Sequence, residues 1–182
     1  MANRKQVVLS LVGAAIFTLC LEGRASAVVD LTAGRSALSG AACSANNPAQ
    51  ASCIWHDAMW GLHNACSYGV TVVCPVPEHQ NWPWGQVIGE SLTVEVYDRD
   101  PANNISCTFY KVLAGGGVDY RARSTSGYGS GMMTMDFGMD FIWTADGVAN
   151  TLVCWIPAHN AANGDSHLVD YYTHQTVQWS QH

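Results

Sequence analysis

Four tryptophans fall within thirty residues of one another: Trp55, Trp60, Trp82 and Trp84. The last two sit in Asn81-Trp82-Pro83-Trp84-Gly85, where a proline separates the indoles and a glycine closes the stretch. Such a loop cannot easily hide both rings in a core, and exposed indoles stack on sugar rings or fill a partner's pocket. Against this stands the high average burial of tryptophan, by which one or both rings would cap an open end of the fold. On the binding reading, all four tryptophans are candidate ligand contacts.

A second constellation is the run DRDPANN, residues 98–104. Asp98, Asp100 and Asn103, with Asn104 beside them, crowd oxygen atoms into one turn, the donor type that calcium takes. The glycine and the distant glutamate of an EF-hand loop are missing. The competing expectation is a hairpin connection in which Asp and Asn bond their own backbone and Pro101 presets the turn. That second expectation is preferred, and no other cofactor is indicated. Asp136 and Asp140 stand roughly 13 Å apart along a straight strand, too far to share a cation unless Gly138 folds the chain sharply. Asp136-Phe137-Gly138 spells a kinase triplet, but no glycine-rich loop or catalytic loop accompanies it.

Catalysis would have to draw on the seven histidines. His56-Asp57 with His63 forms, on paper, a base with its orienting acid. No G-x-S-x-G elbow accompanies them, and a triad is defined by geometry rather than by spacing. His56 and His63 are also too loosely spaced for a zinc pair. His79, His159, His167 and His174 sit beside turn residues or on the last strand, where exposed histidine is ordinary. The leading expectation is therefore a secreted, non-catalytic binding or cell-surface module whose ligand is a glycan or an envelope protein. The alternative is a secreted hydrolase whose site is built from scattered His and Asp residues.

Secretion is read from residues 1–27. Arg4 and Lys5 precede an apolar run from Val7 to Leu21, and Ala25-Ser26-Ala27 has the form of a cleavage signal. A retained anchor would need about 18 to 20 uninterrupted apolar residues, and this run is shorter. Residues 28–182 are then one domain, extracellular or periplasmic, with no membrane span. They hold five basic and thirteen acidic residues, a net charge of −8. So acidic a chain has no electrostatic footprint for nucleic acid or an anionic membrane. Six cysteines remain in it: Cys43, Cys53, Cys66, Cys74, Cys107 and Cys154. An even number in an exported chain predicts three disulfides.

The elements that must position these residues are strands. No window keeps a helical apolar stripe between caps. Short β-branched or alternating runs recur instead at 70–74, 91–98, 105–113, 118–124, 150–156 and 167–179, each bounded by turn residues. A further strand, MMTMDFG, ends near Gly138 and turns Met133, Met135 and Phe137 inward. IWHDAMWGL, residues 54–62, reads as one more strand or as a disulfide-tied loop. Seven or so short strands predict an all-β, antiparallel β-sandwich, Ig-like or jelly-roll-like.

The order of motifs GLHNACSYGVTVVCPVP, VEVYDRDPANNISCTFY, STSGYGSGMMTMDFG, NTLVCWIP and SHLVDYY resembles a family of small, uncharacterised exported proteins of proteobacteria and myxobacteria. The likeness runs from about Cys43 to Tyr172, and its most specific part is Cys43, Cys74-Pro75, Cys107 and Cys154 with Pro157. The resemblance implies a β-sandwich and carries no catalytic motif. Cys53 and Cys66 look like additions to the family's four cysteines, which implies that they pair with each other. The other four divide most simply as Cys43–Cys74 and Cys107–Cys154, with Cys74–Cys154 a competitor.

Overall fold

The computed structural model describes residues 29–76, 85–112, 115–127, 129, 131–138 and 150–179. The leader expected over residues 1–27, the turn expected at DFIW, and Trp82 and Trp84 lie outside them.

Short turn-bounded runs become strands, in this order: β1 (Val29–Ser39), β2 (Ser44–Ala45), β3 (Ile54–Asp57), β4 (Gly61–Asn64), β5 (Val70–Pro75), β6 (Gly85–Tyr97), β7 (Ser106–Val112), β8 (Val118–Ser124), β9 (Met133–Asp136), β10 (Asn150–Ile156) and β11 (His167–Trp179). One sheet runs β3-β4-β11-β6-β9, with β1 also on β11; the other runs β2-β5-β10-β7-β8. Every strand pairing among the described residues is antiparallel. The chain is an antiparallel β-sandwich. Among the described residues no helix is long and apolar enough to cross a membrane.

Alternation decides which side chains fill the space between the sheets. Val70, Val72 and Cys74 on β5 are buried, as are Leu152, Cys154 and Ile156 on β10. Leu92, Val94 and Val96 on β6 face them from the other sheet, with Leu168 and Tyr171 on β11. Burying both faces' apolar sets is what drives two sheets together. Tyr171 also donates its hydroxyl to the Pro75 carbonyl at 2.6 Å, a bond from one sheet to the other. Burial pushes that phenol up to about 12.

The methionine stripe is a core face. Met135 and Phe137 are buried and Met133 packs against the cluster, while Thr134 and Asp136 are exposed. Phe137 meets Phe109 edge-on at 6.4 Å. The strand ends where the chain reaches Gly138, whose φ of +76° is a conformation that glycine adopts freely. Arg121 and Arg123 on β8 reach across to β9, donating to the Phe137 and Asp136 carbonyls at 3.2 and 2.9 Å. They close the edge where the two sheets would otherwise part.

The disulfides are Cys43–Cys74, Cys53–Cys66 and Cys107–Cys154. Cys107 and Cys154 are direct cross-strand partners on β7 and β10. Cys53–Cys66 ties the base of a hairpin, so the stretch IWHDAMWGL is two strands and a disulfide-tied loop at once. β1 was not anticipated: VDLTAGRSALS alternates poorly, and its pairing with β11 shifts register between Thr32 and Arg35.

Candidate functional site

The β3–β4 hairpin carries Trp55 and Trp60 to one face of the larger sheet. Its loop is three residues long, with Asp57 paired to Gly61. The Asp57 carboxylate accepts from the backbone N–H groups of Met59 and Trp60 at 2.6 and 3.0 Å, a side-chain-closed turn of the kind aspartate makes. Those two donors hold Asp57 below the usual carboxylate range, aided by the nearby His167 and His63 imidazoles. Gly61, the paired residue that follows the loop, has φ +75°, a left-handed conformation that glycine adopts freely.

Register then lines up a row of rings. Trp55 on β3 lies opposite His63 on β4, His63 opposite His167 on β11, and His167 opposite Tyr97 on β6. Their sequence neighbours Ile54, Leu62, Leu168 and Val96 are buried, so alternation places the row on the outward face. Three inter-strand steps of ~4.8 Å make the row about 14 Å wide. Successive ring centroids are 6.3 Å apart for Trp55–His63 and 5.0 Å for His63–His167. Trp60 folds back from the loop onto the far end, edge-on to Tyr97 at 5.2 Å and 6.4 Å from His167. Arg99 covers the Tyr97 ring at 5.8 Å.

The hairpin end of this platform reaches solvent, while His63, His167 and Tyr97 are partly buried. Trp55 is 61% exposed and Trp60 42%, with Met59 beside them at 78%.

Charge is arranged at its border. Asp165 contacts His159 Nδ1 through one oxygen and lies 3.5 Å from His63 Nε2 through the other. Burial lowers the His167 pKa, and the neighbouring His63 lowers it further. Asp165 and Asp57 oppose that shift, and Arg99 reinforces it.

The base-and-acid pair drawn from His56 and Asp57 does not assemble. His56 lies opposite Leu62, on the face turned away from the ring row, and Asp57 is committed to its turn. Of the three residues, it is His63 that joins the row. Ser166, the hydroxyl next to His167, is buried and accepts from Arg99 N–H while donating to Asp98.

In DRDPANN, Asp98 is fully buried. Its Oδ1 accepts from Asp100 N–H at 3.2 Å and Ser166 Oγ at 3.3 Å. Its Oδ2 accepts from Ile105 N–H at 3.0 Å and from the Thr125 hydroxyl. Asp100 accepts from Ala102 N–H and from the Asn103 side chain at 2.8 and 3.0 Å. Burial works against the Asp100 charge, but those donors outweigh it and lower the pKa. A calcium ion at Asp98, Asp100 and Asn103 would have to displace donors already in place. Among the described residues no group of three or more His, Cys, Asp or Glu side chains is arranged for a metal.

Of the four candidate tryptophans, Trp55 and Trp60 meet on one face, and Trp82 and Trp84 lie outside the described residues. The sequence reading did not single out Tyr97 or His167. Both sit at polar positions of alternating strands, a signal that is present in the sequence but is shared by every outward residue.

No protein-family model matches the chain, and no curated protein matches it in sequence. Solved structures similar to it include the xylan-binding module CBM15, at 12% identity over 82% of this chain and 96% of that one, with a TM-score of 0.40. A low-affinity xylan-binding module, CBM86, from Roseburia intestinalis matches at 12% identity over 78% and 96%, with a TM-score of 0.39. TmCBM61, solved in complex with β-1,4-galactotriose, matches at 10% identity over 78% and 88%, with a TM-score of 0.38.

Proposed function

We propose that the chain is an exported, non-catalytic module that binds a glycan on the outward face of its larger sheet. The observation that carries this reading is the row Trp55–His63–His167–Tyr97, with Trp60 folded onto its end and both indoles reaching solvent. A pyranose ring has an apolar face that matches indole and phenol rings, and hydroxyls that the surrounding carboxylates and imidazoles can bond. Rings held by a hairpin turn and a disulfide lose little freedom on binding, which lowers the ordering cost. Three disulfides and the leader-like residues 1–27 support an extracellular or periplasmic setting. Trp82 and Trp84 remain proposed contacts of the same kind.

The test is a glycan array followed by titration of the best ligand. Trp55→Ala and Trp60→Ala should each weaken binding about tenfold or more, while the thermal midpoint moves little in Trp55→Ala, whose ring is mostly exposed, and somewhat more in Trp60→Ala, whose ring packs on Tyr97. Unchanged affinity in both variants would remove the platform from the binding site.

A hydrolase is the second reading, favoured by one observation: Asp165 contacts both His63 and His159, as an orienting acid would. The hydroxyl beside His167 is not placed to serve it, since Ser166 is buried against Asp98. Release of reducing ends from array-positive glycans by the wild type, lost in Asp165→Asn, would establish it over the binding reading.

A further inference from the structure

The outer face of the smaller sheet carries no charged side chain among the described residues. Strands β2, β5 and β10 hold none, and on β7 and β8 the charges all take one phase. Lys111, Asp119, Arg121 and Arg123 share the phase of Cys107 and Phe109, which are buried between the sheets. Thr108, Tyr110 and Val112, with their partners Ala122, Tyr120 and Val118, take the other phase and turn outward. Residues 28–182 have a net charge of −8, so a face this neutral is set apart from the rest of the chain.

Register lays a strip of short side chains across this face. Ser44, Val73, Val153, Thr108 and Ala122 are successive cross-strand partners on β2, β5, β10, β7 and β8. Four inter-strand steps of ~4.8 Å make the strip about 19 Å long. Larger rings border it. On one side Tyr110 and Tyr120 are cross-strand partners with centroids 6.1 Å apart, and Tyr120 is 64% exposed. On the other side the Trp155 indole lies over Gly69, where a Cβ would come within 2.3 Å of the ring. The bare glycine lets the indole rest against backbone, which holds it in place before any ligand arrives. The strip and its bordering rings all reach solvent at least in part.

Hydroxyls accompany the rings. Thr71 and Ser106 lie opposite Trp155, and Thr151 lies opposite Tyr110. A polyanion gains nothing from a face without cations and is repelled by the acidic chain. Protein interfaces are enriched in arginine and depleted in serine, the reverse of this face. A pyranose matches it, stacking its apolar side on Tyr or Trp while its hydroxyls bond to Ser and Thr.

We infer that the outer face of the smaller sheet is a second binding surface, for a neutral oligosaccharide that crosses the strands on the strip from Ser44 to Ala122 with sugar rings against Tyr120 and Trp155. It lies on the opposite side of the sandwich from Trp55 and Trp60, and neither surface needs the other. Two such surfaces on one chain would let it bridge neighbouring polysaccharide strands.

The experiment is titration calorimetry with neutral hexasaccharides of glucan, xylan, mannan and galactan, and with oligogalacturonate as the acidic control. In Trp55→Ala/Trp60→Ala, binding of a neutral hexasaccharide should persist. Adding Ala122→Arg, which sets a long cation on the strip, or Tyr120→Ala should weaken that binding about tenfold or more, and adding Tyr120→Phe should keep it. Ala122 and Tyr120 are exposed, and circular dichroism checks that each variant folds. Should the double tryptophan variant fail to fold, the wild type background reads the same point, with two binding events per chain falling to one in Ala122→Arg. Binding that vanishes in Trp55→Ala/Trp60→Ala overturns the inference and leaves the platform reading intact. Residual binding that neither Ala122→Arg nor Tyr120→Ala moves also overturns it, as does preference for oligogalacturonate. A dimer in sedimentation that Ala122→Arg abolishes, with no hexasaccharide bound at this surface, gives the face to a second copy of the chain and overturns it too. Failure of the wild type to bind any hexasaccharide overturns both readings.

Discussion

The Leu168 carbonyl oxygen occupies the space where Gly61 would carry a side chain: a Cβ on Gly61 would lie 2.2 Å from it. β4 can sit this close to the bulged stretch of β11 only because position 61 has no side chain. The same residue holds the positive φ that turns the hairpin. One glycine thus sets both the turn that presents Trp60 and the contact that presses His63 against His167.

Gly61→Ala should therefore cost about 2 to 5 kcal/mol, combining a left-handed non-glycine residue with overpacking against backbone. Urea unfolding measures the loss. Binding to whichever glycan the wild type takes should fall as well, because the hairpin must shift away from β11. A stable Gly61→Ala variant with full binding would show that the ring row does not depend on this contact.

Acid should weaken the fold through His167. Its pKa is lowered by burial first and by His63 next, so the unfolded chain binds a proton more readily than the folded one. Stability is fully present above the ordinary histidine value of about 6.5 and declines as pH falls below it toward the lower folded pKa. Below that folded value the contribution is gone and the curve flattens. Thermal midpoints between about pH 5 and 8 should show this slope, and His167→Gln should flatten it. His63, Asp165, Asp57 and Arg99 all face the same ring, and a slope that persists unchanged in His167→Gln would remove His167 as its source.

The strands were legible because their chemistry is local. Leu92–Val96 alternates cleanly, Val70–Cys74 and Leu152–Ile156 are short β-branched or apolar runs, all are bounded by Pro, Asp or Asn, and each is a strand with every second side chain buried. Met135 and Phe137 were assigned to the core by the same period. β1 escaped because its alternation is poor and its strand character comes from pairing with β11. The site was half legible for a related reason. Trp55 and Trp60 announce themselves by type, but His63, His167 and Tyr97 become a row only through the registers of β4, β11 and β6, strands far apart in sequence.

Reduction should destabilise the chain. Cys107–Cys154 staples β7 to β10 at the centre of the smaller sheet, and closing so long a loop restricts the unfolded chain by about 2 to 4 kcal/mol. The double variant Cys107→Ala/Cys154→Ala should lose that amount in urea unfolding. Cys53→Ala/Cys66→Ala opens a shorter loop and should cost somewhat less, yet it should loosen the hairpin and weaken the proposed glycan binding more. Non-reducing peptide mapping that recovered Cys74 joined to Cys154 would overturn the pairing on which both expectations rest.

Asp98 separates a structural loop from a calcium site. Its carboxylate receives Asp100 N–H, Ser166 Oγ, Ile105 N–H and Thr125 Oγ1 in a fully buried setting. It thereby joins the end of β6 to the start of β7, to the residue after β8 and to the entry of β11. Asp98→Ala would strand several buried donors at about 1 to 3 kcal/mol each, so a loss of at least about 3 kcal/mol is expected. Asp98→Asn should cost less than Ala but still more than a surface change, because one amide end now points a donor at donors. Calcium or a chelator should leave the thermal midpoint of the wild type where it is, since a cation would have to break bonds already made. A midpoint that rises with calcium, and no longer does so in Asp100→Ala, would instead make Asp98, Asp100 and Asn103 its ligands.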